Sequence, residues 1–386
     1  MVQQQAQPSG LLVIDKPQGV TSHDLVAAVR AGLHTKKVGH AGTLDPMATG
    51  VLVIGFGNAT RLLNYIVEHD KTYEATIRLG RATTTDDADG ELIALSSTSP
   101  SASSAFPLAQ FSNDWREFCN AVTDHAATPD MIAEWRERIE RTIAEQLTGP
   151  IEQVPNTFSA IKINGQRAYD LARDGKDVAL KARPVTIHAF DVLDMRVGLT
   201  DTARTNGPLI DNANTSAATS LANLTPVIDL DVRVSCSAGT YIRALARDLG
   251  TILGCGGYLT RLRRTRVGRF DLDAADIASR VVTAHVESRT FTNRDGQLVT
   301  RNRAVLDQTG DELTFRAMTM VDAVHTAMPT LAITAEDAAD LRFGRRIAYD
   351  VHEPTAAYLP ARGDVAAIVD RAKRGEAKPI VVFAAD

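Results

Sequence analysis

The sequence is poor in the features that mark several large classes of protein. Cysteine occurs three times in 386 residues, at positions 119, 236 and 255. The three are scattered without metal-ligand spacing, so a structural zinc site does not fit and a reduced, cytoplasmic compartment does. No apolar run approaches the length of a membrane span. Residues 1–5 carry neither the basic start nor the apolar core of a signal peptide, so nothing directs export. No metal cluster, phosphate-cradling glycine loop, dinucleotide fingerprint or Ser-His-Asp order is present. Positive charge is also in deficit: 42 Lys and Arg stand against 47 Asp and Glu, a formal net charge of -5. That balance argues at first against a nucleic-acid partner.

The distribution of charge reverses the argument. Between Arg233 and Arg269 eight arginines (233, 243, 247, 261, 263, 264, 266, 269) face one acid, Asp248, a local excess of +7. A local basic surface is enough for phosphate binding, because counterion release depends on the contacts made.

The rest of the chain is organised around Gly39-His40-Ala41-Gly42-Thr43-Leu44-Asp45-Pro46-Met47-Ala48-Thr49-Gly50. The glycines permit turns that a side chain would block. Pro46 pushes Asp45 away from helical geometry. The apolar run 51–55 reads as a buried strand. Asp45 is therefore displayed on a tight loop with little backbone freedom, which suits a group that must meet a substrate atom in a set geometry. An Asp-Pro pair alone would only start a turn. From the residues themselves, a displayed Asp, a nearby His, Tyr73 and a basic helix suit a carboxylate acting on a nucleic-acid component.

In chain order, 10–17 is a strand ending in a Pro-Gln-Gly turn, and Thr21 or Ser22 caps a helix over 23–33. A further helix starts at Asn58. Residues 71–80 alternate as a strand with Tyr73, Ala75, Ile77 and Leu79 on one face. Helical spacing returns over 131–147. An extended segment from 153 leads into a helix over 167–174. Strands follow at 184–196 and 228–236. Gly239-Thr240 opens a helix with Ile242, Leu245, Leu249 and Ile252 on its buried side and Arg243 and Arg247 on another. Polar or low-complexity stretches at 95–130, 199–226 and 283–314 read as surface insertions. From 331 the chain reads as a small all-β module, with strands at 332–338, 345–350, 356–359, 365–369 and 380–383. The whole is an α+β protein: a catalytic domain over 8–326, in which a mixed or antiparallel sheet is flanked by helices, then a β-rich domain over 327–386.

The stretch 39–52 closely resembles the catalytic motif of the TruB family of tRNA pseudouridine synthases. Further blocks match in order: 10–17 with Thr21-Ser22-His23, then Lys71-Thr72-Tyr73, then Ser159-Ala160-Ile161-Lys162 with Gly165 and Tyr169. The last block is Gly239-Thr240-Tyr241-Ile242-Arg243 with Leu249-Gly250, Gly254-Cys255-Gly256 and Leu262-Arg263-Arg264. The C-terminal module resembles that family's PUA-like RNA-binding domain. Asn156 departs from the family, many members having a second Pro there.

The resemblance implies isomerisation of uridine 55 in the tRNA T-loop to pseudouridine, the glycosidic bond moving from N1 to C5 of one uracil. It implies no cofactor and no metal. Asp45 matches the nucleophile, and the target base must be flipped out to reach it. His40 matches the residue filling the vacated space. Tyr73 matches the aromatic that stacks on the base, and Arg243 the partner that keeps the nucleophile ionised. Tyr241 and Leu262 match the substrate pocket, and Lys16, grouped with them, supports the loop. The implied partner is the T-arm of tRNA, with no membrane, no protein partner and a monomeric enzyme. Two alternatives remain at this point. A non-catalytic RNA-binding or RNA-folding protein on the same scaffold would not convert a T-arm transcript. A guide-RNA-dependent enzyme of the dyskerin type would fail on naked tRNA.

Overall fold

The computed structural model describes residues 9–93, 111–156, 162–163, 166–167, 180–210, 223–293 and 295–384. The elements begin with β1 (Gly10–Lys16), α1 (Ser22–Gly32), β2 (Val38–His40), β3 (Thr49–Phe56), α2 (Leu63–Val67), β4 (Lys71–Leu79), α3 (Asn113–Thr123), α4 (Pro129–Gln146) and β5 (Gly149–Gln153). They continue with β6 (Lys162–Ile163), β7 (Gln166–Arg167), β8 (Arg183–Asp201), β9 (Leu224–Cys236), α5 (Ile242–Ile252), β10 (Gly257–Val267), β11 (Phe270–Asp271) and α6 (Ala275–Ala278). The last are β12 (Val282–Thr292), β13 (Leu298–Leu306), α7 (Gly310–Arg316), α8 (Met320–Ala327), β14 (Thr330–Ala332), α9 (Ala335–Arg342), β15 (Thr355–Leu359), β16 (Asp364–Lys373) and β17 (Glu376–Val382). The chain divides into two compact units, 1–69 with 264–386, and 70–263.

In the first unit β1 runs antiparallel to β3 along its whole length, from Gly10↔Phe56 to Lys16↔Gly50. Both strands are apolar almost throughout because both faces are covered. Leu11, Val13, Val51 and Val53 face one core, with Ile66, Phe270 and Val324. Leu12, Ile14, Leu52 and Ile54 face the other, against Leu25, Val26 and Val29 of α1. Thr21 caps α1 and forms a reciprocal capping box with Asp24. On the far side of β1, β12 joins in parallel at Ile14↔Val282 and Asp15↔Thr283. Strand β13 then pairs antiparallel with β12 from Ala284↔Leu306 to Thr292↔Leu298.

The stretch 283–314 is thus not a loose insertion but a long β-ribbon followed by α7, whose Leu313 is buried. From Ser288 outward most of the ribbon's side chains are exposed on both faces, so it carries no period-2 apolar signal.

The C-terminal module is not all-β. Its strands run in the order β14-β15-β16-β17, with β14 parallel to β15. The strand expected at 332–338 ends at Ala332, and Thr334 caps α9 with a reciprocal bond to Asp337. The strand expected at 345–350 is only an isolated bridge, Ile347 to Ala377. The T-x-x-D capping box was the missed sign. Ile333, Leu341, Ala366 and Val369 belong to a core of the module's own.

In the second unit the strands run β4-β9-β8-β5, all antiparallel, with β4 against β9 from Lys71↔Cys236 to Leu79↔Ile228. Two expected insertions are corrected here. Within 95–130, residues 113–123 form α3, whose Trp115 and Phe118 are buried with Trp135 of α4 at ring distances of 5.2 to 5.6 Å. Apolar burial therefore decides the state of α3; the Ser-rich stretch before it lies outside the described residues. Within 199–226, the chain after β8 is tied down. Arg78, paired bidentately with Asp229 at 2.7 Å, also donates to the Gly207 carbonyl at 2.8 Å. Arg81 donates to the carbonyls of Asp201 and Arg204 at 2.9 Å each. Of the helix expected at 167–174, Arg167 is in β7 instead and 168–174 lie outside the described residues, as do 211–222, Ser159, Ala160, Ile161, Gly165 and Tyr169. On α5, Ile242, Leu245 and Leu249 are buried as expected, but Ile252 is 40% exposed and Arg243 is buried.

Candidate active site

Asp45 sits half-buried on the loop between β2 and β3, at the head of a turn closed by the Ala48 amide on the Asp45 carbonyl at 3.1 Å. Three buried polar side chains hold this loop. Lys16, at the end of β1, donates from its ammonium to the carbonyls of Pro17 at 3.0 Å, Pro46 at 3.2 Å and Ala48 at 2.6 Å. The Ser22 hydroxyl accepts from the Leu44 amide at 2.9 Å and donates to the Leu44 carbonyl at 3.2 Å. Arg264, 2% exposed, donates to the carbonyls of Val51 at 2.9 Å and Gly42 at 3.1 Å. The Gly19 amide adds a bond to the Pro46 carbonyl at 2.8 Å.

A buried cation is stable only when its donors are satisfied, and loop carbonyls need donors for the same reason. Each side therefore fixes the other. Gly50 closes the arrangement at φ +101°, where a Cβ would lie 2.1 Å from the Arg264 carbonyl oxygen. Lys16 is thus a loop-holding residue: it grips the backbone just after Asp45, at Pro46 and Ala48.

His40 ends β2, with its ring edge-on to His23 at 5.4 Å and 84°. Its Nδ1 is buried without a hydrogen-bond partner among the described residues. Burial, then the charges of His23 and Arg264, holds its pKa down to about 4, against a hydrogen bond from the ring to the Gly42 backbone. His40 is therefore a neutral ring at pH 7.

The remaining expected site residues belong to the second unit. Tyr73 lies on β4 opposite Val234, buried. Leu262 is buried on β10. Tyr241 is the residue before α5, and its backbone is gripped by the Gln153 side chain: the Tyr241 amide donates to Oε1 at 2.8 Å and Nε2 donates to its carbonyl at 3.1 Å. Two residues on, the buried Arg243 donates to the Thr85 carbonyl at 2.9 Å and lies 3.3 Å from Asp87 Oδ2.

Sequence reasoning passed over the loop that meets Arg243. Asp86 adopts φ +57°, a left-handed conformation that Asp tolerates. It is buried between Arg247, at 3.3 Å, and the Asn156 amide, which donates to its carboxylate. Burial raises its pKa to about 6, against Arg247, Asn156 and Arg243. The Asn156 departure thus has a structural use. The signal was present as consecutive acids in a Thr-rich turn, Thr83-Thr84-Thr85-Asp86-Asp87. Arg264 was visible too, but as one of a basic run.

Several arginines of that run are taken up by partners within the protein. Arg243 and Arg264 are buried on carbonyls, and Arg247 pairs with Asp86 and Asp248. Arg233 pairs with Glu74 at 2.8 Å, and Arg261 donates to Thr76 Oγ1 at 3.4 Å. Much of the excess charge acts inside the fold. Among the described residues no group of three or more His, Cys, Asp or Glu could hold a metal ion.

Comparison with known proteins decides the ancestry of this arrangement. Residues 30–112 and 120–206 match the family model for the TruB family pseudouridylate synthase N-terminal domain. A tRNA pseudouridine synthase B of Bifidobacterium longum (strain DJO10A) is 58% identical over 97% of this chain and 98% of its own. The chain belongs to the TruB family of pseudouridylate synthases. It is an isomerase. Its residues 243–298 match the tRNA pseudouridylate synthase B C-terminal domain, and 328–384 the tRNA pseudouridine synthase II C-terminal model. TruB-family relatives named tRNA pseudouridine synthase B from Arthrobacter sp. (strain FB24) and Thermobifida fusca (strain YX) are 42% and 40% identical, each over 97% of this chain, covering 97% and 98% of their own. The structure of a Cbf5-Nop10-Gar1 complex matches with a TM-score of 0.56 at 20% identity, over 97% of this chain and 84% of that one, and shows a shared fold. No helix among the described residues is long and apolar enough to cross a membrane.

Proposed function

We propose that this enzyme isomerises uridine 55 in the T-loop of tRNA to pseudouridine, with Asp45 as nucleophile on a flipped-out base. The observation that carries the reading is the immobilised turn: Lys16, Ser22 and Arg264 fix the backbone on both sides of Asp45, a residue that stays half-buried. A reacting group held in one geometry has its orientational entropy removed in advance. The relatives named tRNA pseudouridine synthase B support tRNA as the substrate. A neutral, half-buried His40 on the adjoining strand suits an apolar ring that fills the space a base vacates. Tyr73, Tyr241 and Leu262 take the roles the resemblance assigns at the uracil. The charge that keeps the nucleophile ionised is, on the same resemblance, that of Arg243. The reaction exchanges an N1–C1′ bond for a C5–C1′ bond and needs only that the C5 proton leave and N1 gain one. The reading includes a monomer acting in the cytoplasm without a protein partner.

The test is incubation of the purified protein with an unmodified tRNA transcript, mapping pseudouridine by position. One modified uridine, in the T-loop, is expected; Asp45→Asn should bind the same RNA and form none. Pseudouridine made by Asp45→Asn, or modification elsewhere only, would overturn the assignment.

A further inference from the structure

The β12–β13 ribbon is the part of the first unit that the proposed chemistry leaves unused. Two strands paired only with each other are marginal in water unless a face is covered. Here both faces are bare beyond Ser288. Phe291 is 42% exposed and Leu298, at the tip, 77%. One face aligns three cross-strand pairs: Glu287 opposite Arg303, Arg289 opposite Arg301, and Phe291 opposite Val299. Glu287 is taken by Arg303. Arg289 and Arg301 face each other, the acid acting on Arg289 being Glu287, already paired with Arg303, and like charges directly opposite on a sheet are destabilising. A polyanion would relieve that repulsion, as no neutral partner could. The Arg301 guanidinium also lies 5.7 Å from the Phe291 ring centre, so a flat cation and a flat ring stand together in solvent, the pair on which bases stack.

The ribbon's foot is attached to the loop that carries Asp45. Asn302, held by Ser288 at 2.8 Å, donates to the Gly19 carbonyl at 3.0 Å, and the Gly19 amide bonds Pro46 at 2.8 Å. Successive residues of a strand point to opposite faces, so Ser288 and Asn302 hold the ribbon to this loop with one face while Arg289, Arg301 and Phe291 present the other, which RNA bound at Asp45 reaches by wrapping past the ribbon. Residues 299–306 of β13 lie outside all three matching family models.

We propose that this ribbon is a further RNA-binding surface, on which Arg289 and Arg301 take phosphates of the substrate tRNA away from the target nucleotide and Phe291 stacks on an exposed base. The proposal rests on the reading of Asp45 as the group that meets a tRNA uridine. Its test uses the full chain, an unmodified tRNA transcript, and the variants R289Q/R301Q and R289K/R301K. Binding is measured from about 50 to 200 mM salt, and single-turnover conversion at saturating RNA. R289Q/R301Q should bind roughly tenfold more weakly, with a salt slope shallower by about 1.5, because two phosphate contacts are lost. Its rate at saturating RNA should equal wild type. R289K/R301K should restore the slope. Both arginines are exposed, and melting curves check that the variants fold. Unchanged affinity and slope in R289Q/R301Q, or no rescue by R289K/R301K, overturns the proposal. So does a dimer that the glutamines disrupt while RNA binding stays the same. A wild-type protein whose tRNA binding depends on the ribbon but which forms no pseudouridine would sink the functional reading and leave the ribbon's role standing.

Discussion

The Lys16 ammonium donates to the Ala48 carbonyl oxygen at 2.6 Å, joining residues 32 apart and reaching three positions past Asp45. With its bonds to Pro17 and Pro46, this makes a buried cation the hub of the loop. Lys16→Met keeps an unbranched side chain, one atom shorter, and removes the charge. The carbonyls then lose a donor in a dry site, at a cost of about 1.5–3 kcal/mol. Urea unfolding should show that loss, and single-turnover kinetics a fall in rate larger than the fall in RNA affinity. An unaltered rate would mean that the loop holds its shape without the lysine.

Gly50 is expected to tolerate no side chain. At φ +101° a Cβ would meet the Arg264 backbone at 2.1 Å, and backbone cannot swing aside as a flexible side-chain end can. Gly50→Ala should destabilise by more than about 3 kcal/mol, adding strain to a clash. Gly296→Ala is the control: its φ is +78° but nothing lies within 4 Å of the added Cβ, so about 1 kcal/mol is expected. Thermal melts of the two variants give the comparison; equal losses would place the cost in φ alone.

Two buried titrating groups predict opposite pH dependences. His40 titrates near 4 in the fold and 6.5 unfolded. Between those values the unfolded chain binds more protons, so stability from this group is full above 6.5 and is lost as pH falls through 4. His40→Gln should remove that share of the acid loss. Urea midpoints at pH 7.5 and 4.5 should therefore differ more in wild type than in the variant.

Asp86 runs the other way. Its folded pKa, about 6, lies above the unfolded 3.8. Its contribution is full below 3.8 and is lost as pH rises through 6, at most about 3 kcal/mol. Asp86→Asn should lose less stability than wild type between pH 4 and 6.5. A wild type that gains as much as the variant across that window would show that Arg247 and Asn156 outweigh burial.

The sequence made legible those parts whose signal is local. Leu11 to Ile14, Val51 to Ile54 and the Tyr73 strand announce themselves by apolar runs or alternation, and Thr21 by its capping pattern. Asp45 was legible because glycine and proline restrict the backbone around it. What stayed hidden depends on partners distant in the chain. Trp115 and Phe118 of α3 look like part of a polar insertion until Trp135 covers them. Arg264 reads as surface charge until its carbonyl partners at Gly42 and Val51 are known. Asp86 and Asp87 read as a solvated turn until Arg247 and Arg243 arrive from α5. The ribbon escaped for the opposite reason: with both faces in solvent it has no apolar period to read.

The split of the first unit into 1–69 and 264–386 has a consequence for biosynthesis. Ribosomes deliver a chain from its N-terminus, so residues 70–263 emerge whole while the unit built from 1–69 and 264–386 still lacks its second part. Val13 and Val53 share a core with Val324, Ile368 and Phe383. Those first hydrophobic strands meet Ile66 early, but the part of their core made by Val324, Ile368 and Phe383 comes only near the end of translation. During that interval the nascent segment is the one most in need of shielding by a chaperone.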